Sequence, residues 1–460
     1  MSLSRRKFFA LAGASAAGTF MVSPLEALYA RKANGKSVFG RGYGPLLPDP
    51  NGLLDLPEGF KYRAFSRTGE LMTDGTLVPG AHDGMAAFPV PKNYPGLKGR
   101  DRKNSVLLVR NHELGTGLTG SRVQGPNPYD PIAKGGTTTL LVDLDDEPQL
   151  IKHFTSLSGT IRNCAGGPTP WDSWISCEED TTIPTATNGV TKLHGYNFEV
   201  PSSDTSPVEP VPLVAMGRFN HEAVAVDPKT GIVYQTEDRG DSLFYRFIPN
   251  VPGKLAEGGI LQALRIIDRP GVNTSNALNN PIKFNVGQKF RVDWVTITEP
   301  NPTTGDTVRV EGYKLGAAQF IRGEGIYYTK ENGKSEFYFC ATSGGPVGGG
   351  QVWRYTPGKE TIELFVESQS KDELDMPDNL VVAPFDDLIL CEDGDGDNFL
   401  IGITPSGEVY KFARNALQSG EFAGATFSPD GKVLFVNIQS PGITLAIWGP
   451  WKKSRRNDDD

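Results

Sequence analysis

Histidine is nearly absent from this chain, with five in 460 residues. His82, His112, His153, His194 and His221 stand apart, and no His-x-His or His-Glu-x-x-His spacing occurs, which excludes the familiar zinc-hydrolase arrangements. An excess of base is lacking too: 46 Lys and Arg face 54 Asp and Glu, for a net charge of −8. Nucleic-acid binding rests on neutralising phosphates with Lys and Arg, so an acidic chain without a basic stripe is a poor candidate for it. There is no Gly-x-Ser-x-Gly elbow for a nucleophilic serine. The glycine-rich stretch Gly344–Gly350 lacks the Lys-Ser/Thr ending of a phosphate loop and reads as a blade turn. Linkers rich in Ser, Gly, Pro or charge are missing, as are long amphipathic helical patterns. Only one apolar run stands out, Ala10 to Val22. At about 13 residues it is short of the ~20 that span a bilayer.

That run explains itself from its flanks. Ser4-Arg5-Arg6-Lys7-Phe8-Phe9 precedes it, and Glu26-Ala27-Leu28-Tyr29-Ala30 follows. A basic start, a weakly apolar middle and an alanine-ending segment form an export signal, and the arginine pair points to the Tat translocase. Residues 1–30 are therefore expected to be removed, with Leu28 an unfavourable residue just before the cut. The mature protein would be periplasmic or extracellular, not membrane-bound, and a monomer. Tat carries folded cargo, which suits a metalloprotein.

What the chain has in plenty is glycine (54), proline (35) and aromatic residues (10 %), the composition of an all-β protein with many turns. A unit of two strands recurs six times. The clearest copies run from His221-Glu222-Ala223-Val224 to Thr236-Glu237-Asp238, from Pro377-Asp378-Asn379-Leu380 to Cys391-Glu392-Asp393, and from Glu421-Phe422-Ala423-Gly424 to Val436-Asn437. Weaker copies join Cys164-Ala165-Gly166-Gly167 to Cys177-Glu178-Glu179, Gly323-Glu324-Gly325 to Phe339-Cys340-Ala341, and His82-Asp83-Gly84 to Asn111-His112-Glu113. Strand pairs with turns such as Asp-Pro-Lys-Thr-Gly, followed by further strands, predict a six-bladed β-propeller with long inter-strand insertions over residues 31–450. The largest insertion spans roughly residues 250–318, and 451–460 is expected to be a polar tail. Two β-sandwich domains would leave the six matched pairs unexplained.

In a propeller, matched positions point at one axis, so the repeat is also a site prediction. Asp83, Glu222, Glu324, Asp378 and Glu421 begin first strands, and acids cluster at the ends of second strands. Converging carboxylates repel and shift one another unless cations bind, and many hard oxygen ligands favour Ca2+. An even count of four cysteines in an exported chain is compatible with disulfides. Cys340 and Cys391 read instead as small buried residues. Cys177 heads a Cys-Glu-Glu-Asp run, where a thiolate among carboxylates would recruit a softer metal such as iron or zinc. His112 and His221 either orient ligands or cap strands. Asp393-Gly394-Asp395-Gly396-Asp397-Asn398 is a calcium-stabilised turn or a plain acidic loop, since Thr404 stands where an EF-hand needs its glutamate. Arg322, two residues before Glu324, is placed either to fork onto an anionic substrate or to pair with a carboxylate.

Several of these segments together resemble the PhoX-type alkaline phosphatases. They are Asn163-Cys164-Ala165-Gly166-Gly167-Pro168-Thr169-Pro170-Trp171 through Cys177-Glu178-Glu179, Gly217-Arg218-Phe219-Asn220-His221-Glu222-Ala223, Arg322-Gly323-Glu324-Gly325, Pro377-Asp378-Asn379-Leu380, and Phe427-Ser428-Pro429-Asp430-Gly431 through Asn437-Ile438-Gln439. The resemblance implies a secreted six-bladed propeller that releases phosphate from phosphomonoesters with iron (Fe3+) and Ca2+. By resemblance, Cys177 binds iron; Glu178, Glu222, Glu324, Asp378 and Glu392 lead the carboxylate ligands, with Glu237, Asp238 and Asn379 behind them. Arg322 would hold the substrate phosphate, and a metal-bridged oxygen would displace the alcohol in line. A calcium-dependent lactonase or esterase propeller, or a non-catalytic calcium-stabilised binding module, would share the acidic channel without needing Cys177 or Arg322.

Overall fold

Runs such as Val106-Leu107-Leu108-Val109, each fully buried, are apolar on both faces and so belong to central strands covered on either side. The computed structural model describes residues 42–331, 333–417 and 420–453. The proposed export segment 1–30 and residues 454–460 of the expected tail lie outside them. From Pro45 onward the described chain is one compact unit built almost wholly of antiparallel strands.

The six expected strand pairs are all present. In order they are His82–Pro89 with Ser105–His112, Asn163–Pro168 with Ser173–Glu178, and His221–Val226 with Val233–Glu237. Then come Gly323–Glu331 with Lys334–Ala341, Pro377–Val382 with Leu388–Glu392, and Phe422–Phe427 with Val433–Ile438. Outer strands extend each pair, and in the sixth the last of them is Lys61–Phe65, from the other end of the chain. The first strands pack side by side, each against the next, and the sixth returns to the first. The fold is an all-β, propeller-like ring.

The sheets, however, number five rather than six. Lys289–Thr296, within the large insertion, pairs with Gly259–Ile266 on one edge and Thr361–Glu367 on the other. It zips the third and fourth units into one nine-stranded sheet, because two facing edges with open backbone groups gain a ladder by sharing a strand. Aromatic packing backs this junction: Phe244 stacks on Phe339 at 4.5 Å, and Tyr234 meets Phe337 at 4.3 Å. The expected tail also begins later than residue 451. Trp451 packs against Phe60 and Phe412, and Lys452 Nζ pairs with Asp387 at 2.6 Å.

One irregularity repeats in all six pairs. Near the start of the first strand the register slips, leaving Asp83-Gly84, Cys164-Ala165, Glu222-Ala223, Glu324-Gly325, Asp378-Asn379 and Gly424-Ala425 without ladder partners. A β-bulge bends the strand and re-aims a side chain, at the cost of backbone groups that must be satisfied elsewhere. Here neighbouring pairs satisfy them. Asn437 donates to the Asp83 carbonyl at 2.6 Å, and Asn111 donates to the carbonyls of Cys164 at 3.1 Å and Ala165 at 2.7 Å. Thr236 donates to the Glu324 carbonyl at 2.6 Å, and Gly424 N–H donates to Asn379 Oδ1 at 2.6 Å. Glycine or alanine at the second bulge position in five of the six pairs permits this closeness. A Cβ on Gly84 would lie 2.6 Å from Ala165 Cα, and one on Gly325 would lie 2.7 Å from Asn379 Cα.

Candidate metal centre

The bulges decide which side chains gather. Asp83, Cys164, Glu222, Glu324 and Asp378 occupy the same bulge position in five pairs, and the sixth holds Gly424 at φ +62°. Glu421 comes from three residues upstream of that glycine. The residue just past the second strand adds to the set in four of the six pairs: Glu113, Glu179, Asp238 and Asp393. Its backbone is fixed from the first strand of the same pair. Ala81, Arg162, Arg322 and Met376 each adopt a left-handed φ of 47–54°. Their carbonyls accept from the N–H groups of Glu113, Glu179, Thr342 and Asp393.

Among the described residues three groups result, in each of which one ligand atom per residue lies within 4.8 Å of the others. They are Cys164, Glu179 and Glu222; Glu222, Glu324 and Asp378; and Asp83, Glu113 and Glu421. Glu222 belongs to two of them, so the first two are contiguous. Burial, then repulsion from neighbouring acids, holds the Glu222, Glu324 and Asp83 carboxyls far above the usual range. The same causes push Asp378 up to about 7 and Glu421 up to about 12. Glu179 rises to about 8, mainly by burial, with Arg162 opposing the shift. These acids cannot all ionise side by side without added positive charge, and bound cations would supply it. One thiol with two carboxylates suits a transition metal, while the all-carboxylate groups suit a hard cation. The donor set therefore fits a mixed metal cluster.

Of the residues singled out in the sequence, Glu222, Glu324 and Asp378 are brought together. Cys177 is not: it is fully buried in an apolar cluster with Ile175, Leu213, Met216, Val224 and Phe247, near enough to Glu222 for that carboxylate to push its thiol up, yet outside all three groups. The thiol beside carboxylates is Cys164, whose Sγ donates to the His221 carbonyl at 3.4 Å. Cys340 and Cys391 are buried as expected, and all four thiols are free.

Glu178, Glu237 and Glu392 also stand outside the groups, because side chains alternate along a strand and the next residue is the one that faces the site. Glu178 accepts from His194 Nδ1 at 2.6 Å and from the backbones of Ile161, Gly195 and Tyr196. Glu237 accepts from Tyr245 at 2.9 Å and Leu243 N–H at 3.2 Å, and burial pushes it up to about 8. Glu392 holds the N–H groups of Asp375 at 2.8 Å and Phe399 at 3.1 Å. All three anchor loops. Asn379 links the fifth and sixth pairs, as above, and donates to Asp378 Oδ1 at 2.9 Å.

Arg322 forks onto Asp238, with Nε to Oδ1 at 2.9 Å and Nη2 to Oδ2 at 3.0 Å, and reaches Glu324 at 2.9 Å. Asp238 is thus an arginine partner at the edge of the cluster. His112 and His221 prove to be strand anchors, bonded to the Gly80 and Gly217 carbonyls at 2.8 and 2.9 Å. Sequence reasoning missed Gln439, whose Nε2 bridges Asp83 at 3.1 Å and Glu113 at 2.8 Å.

No curated protein sequence matches the chain. Among solved structures it is similar to Pseudomonas fluorescens PhoX in complex with vanadate, a transition-state analogue: TM-score 0.66, 19 % identity, 89 % of this chain and 98 % of that one. Weaker likenesses are a Bacteroides thetaiotaomicron protein of unknown function (TM-score 0.43, 11 % identity, 84 % and 76 %) and a Xanthomonas campestris gluconolactonase (0.37, 12 %, 89 % and 99 %). Residues 41–442 match the family described as Alkaline phosphatase PhoX. With nearly the whole described chain inside that match and a carboxylate–thiol cluster at its centre, the protein belongs to the PhoX alkaline phosphatase family and is a metal-dependent phosphatase.

Proposed function

We propose that the chain releases phosphate from phosphomonoesters at this cluster, with iron at the Cys164–Glu179–Glu222 group and Ca2+ at the two all-carboxylate groups. One observation carries the metal assignment: a single buried thiol enters an otherwise carboxylate ring through a bulge position that holds Asp or Glu in four of the other five pairs. When bound, the metals supply Lewis acidity toward the phosphoryl oxygens and the activated oxygen that attacks phosphorus. The protein's part is to fix the ligands through the bulges and to offer Arg322. That arginine keeps its charge, since the neighbouring acids hold its pKa above the ordinary value against the cost of burial. Its guanidinium stands beside Glu324, where it can neutralise charge gathering on the transferred group.

The six-blade architecture belongs to the same proposal. The third and fourth units count as two blades bridged by Lys289–Thr296, which leaves one bulged strand pair per blade. Export by the Tat route, action outside the cytoplasm and a monomeric state complete it, motivated by Ser4–Phe9 and by the resemblance. N-terminal sequencing of protein recovered outside the cytoplasm tests the export step.

The decisive test is metal analysis of the isolated protein together with p-nitrophenyl phosphate and lactone assays. Iron with calcium, and phosphate release lost on calcium chelation and regained on readdition, is the expected result. An iron-free protein that is fully active, or a metal-replete one with only lactonase activity, would sink the proposal.

A further inference from the structure

Arg322 has a counterpart. Arg162 lies two residues before Cys164, as Arg322 lies two residues before Glu324, and both adopt left-handed backbone, φ 47° and 54°. That conformation disfavours a side chain with a Cβ, and the equivalent places in the first and fifth pairs hold Ala81 and Met376. Arginine at two of the four is therefore not a backbone requirement; its side chain is what the position retains.

The two guanidinium groups are held alike. Arg162 bonds Glu113 through Nε at 3.0 Å and through Nη2 at 2.8 Å, and Nη2 also bonds Glu179. Arg322 bonds Asp238 and Glu324 through the same two nitrogens. In each, Nη1 makes no bond to the described residues of the protein, which leaves two N–H donors unspent. Neither is sealed in: the side chains are 44 % and 33 % exposed. Glu179 feels the charge of both, so both arginines lie near the Cys164 group.

We propose that Arg162 is a second phosphate-binding residue, and that the two arginines select the doubly charged phosphoryl group of monoesters over the singly charged group of diesters. This rests on the phosphatase reading. Two cations with free donors match two negative charges, whereas a diester presents one charge and puts an ester group where the second arginine needs a charged oxygen.

The test compares the metal-loaded wild type with Arg162→Gln and Arg162→Lys. The readouts are turnover of p-nitrophenyl phosphate and of bis(p-nitrophenyl) phosphate, calorimetric binding of inorganic phosphate, and metal content. For Arg162→Gln the KM for the monoester and the Kd for phosphate should each rise about tenfold or more, as expected for a lost charge-assisted bond. The diester KM should shift less than about threefold, and metal content should stay at the wild-type level. Arg162→Lys, which keeps the charge and spares the fold, should fall between. Unchanged phosphate binding in both variants overturns the proposal. So does equal loss for both esters, or loss of metal, which would make Arg162 only a clamp on Glu113 and Glu179. A wild type that turns over neither ester overturns the phosphatase reading itself, a distinct outcome.

Discussion

The second and fifth strand pairs end alike and begin differently. Their second strands close on Cys177-Glu178-Glu179 and Cys391-Glu392-Asp393. In both, the cysteine is fully buried, the first acid holds backbone N–H groups, and the next acid turns toward the cluster. Their first strands carry Cys164 in one and Asp378 in the other at the same bulge. The choice between a soft and a hard donor is thus made at the bulge, on the strand that shows fewer acids, and the eye-catching Cys-Glu-Glu run is mostly scaffold.

The largest effect should come from erasing that difference. Cys164→Ala is expected to lose iron and reduce kcat/KM by more than about a hundredfold, given what loss of far weaker supporting contacts costs a metal site. Cys164→Asp makes the second pair a copy of the fifth. It should lower the ratio of iron to calcium relative to the wild type, as read by metal analysis of the purified variant. The twin cysteines should behave alike: Cys177→Ala and Cys391→Ala each leave the metal in place. Retained iron in Cys164→Ala, or lost iron in Cys177→Ala, breaks the comparison.

Glu178→Gln comes next. Removing a charge that accepts four hydrogen bonds should lower unfolding free energy by about 2–3 kcal/mol in denaturant titration. Activity per folded molecule should persist. Glu392→Gln, with two such bonds, should cost less. For Cys177→Ala the cost is about 1–2 kcal/mol, that of a small cavity in an apolar cluster.

The last expectation is a pH trend in metal-stripped protein. Glu179, ordinarily near 4.5, titrates at about 8 in the fold, and Asp378, ordinarily near 3.8, at about 7. The folded state therefore holds protons that the unfolded chain has given up. Stability should be highest below about pH 4 to 5, as far as these groups decide it, and fall as pH rises through 7 to 8. Calcium should flatten that fall in thermal melts. A metal-free Tm that rises over the same window would contradict it.

The six strand pairs were legible because apolar strands, turn residues and recurring acids all repeat. Glu222, Glu324 and Asp378 were found the same way. Cys164 was passed over because the reading weighed clusters of acids, and Asn163-Cys164-Ala165 contains none. The signal was present nonetheless: Asp83-Gly84, Cys164-Ala165, Glu222-Ala223 and Glu324-Gly325 all place a ligand-capable residue before a small one. The five-sheet count could not be read, since Lys289–Thr296 joins two edges distant in sequence. Nor could the alternation that turns Glu178 inward and Glu179 to the site be fixed without knowing where the bulge falls.

The bond from Asn437 to the Asp83 carbonyl spans 354 positions of chain. Glu421, from the same late segment, completes the group with Asp83 and Glu113. Synthesis delivers these partners at opposite ends of the time the ribosome needs for the polypeptide. A nascent chain that has emitted five strand pairs owns most of its ligands but not this group. The group of Asp83, Glu113 and Glu421 is therefore complete only after the last strands dock, whereas the other two groups are complete by the fifth pair.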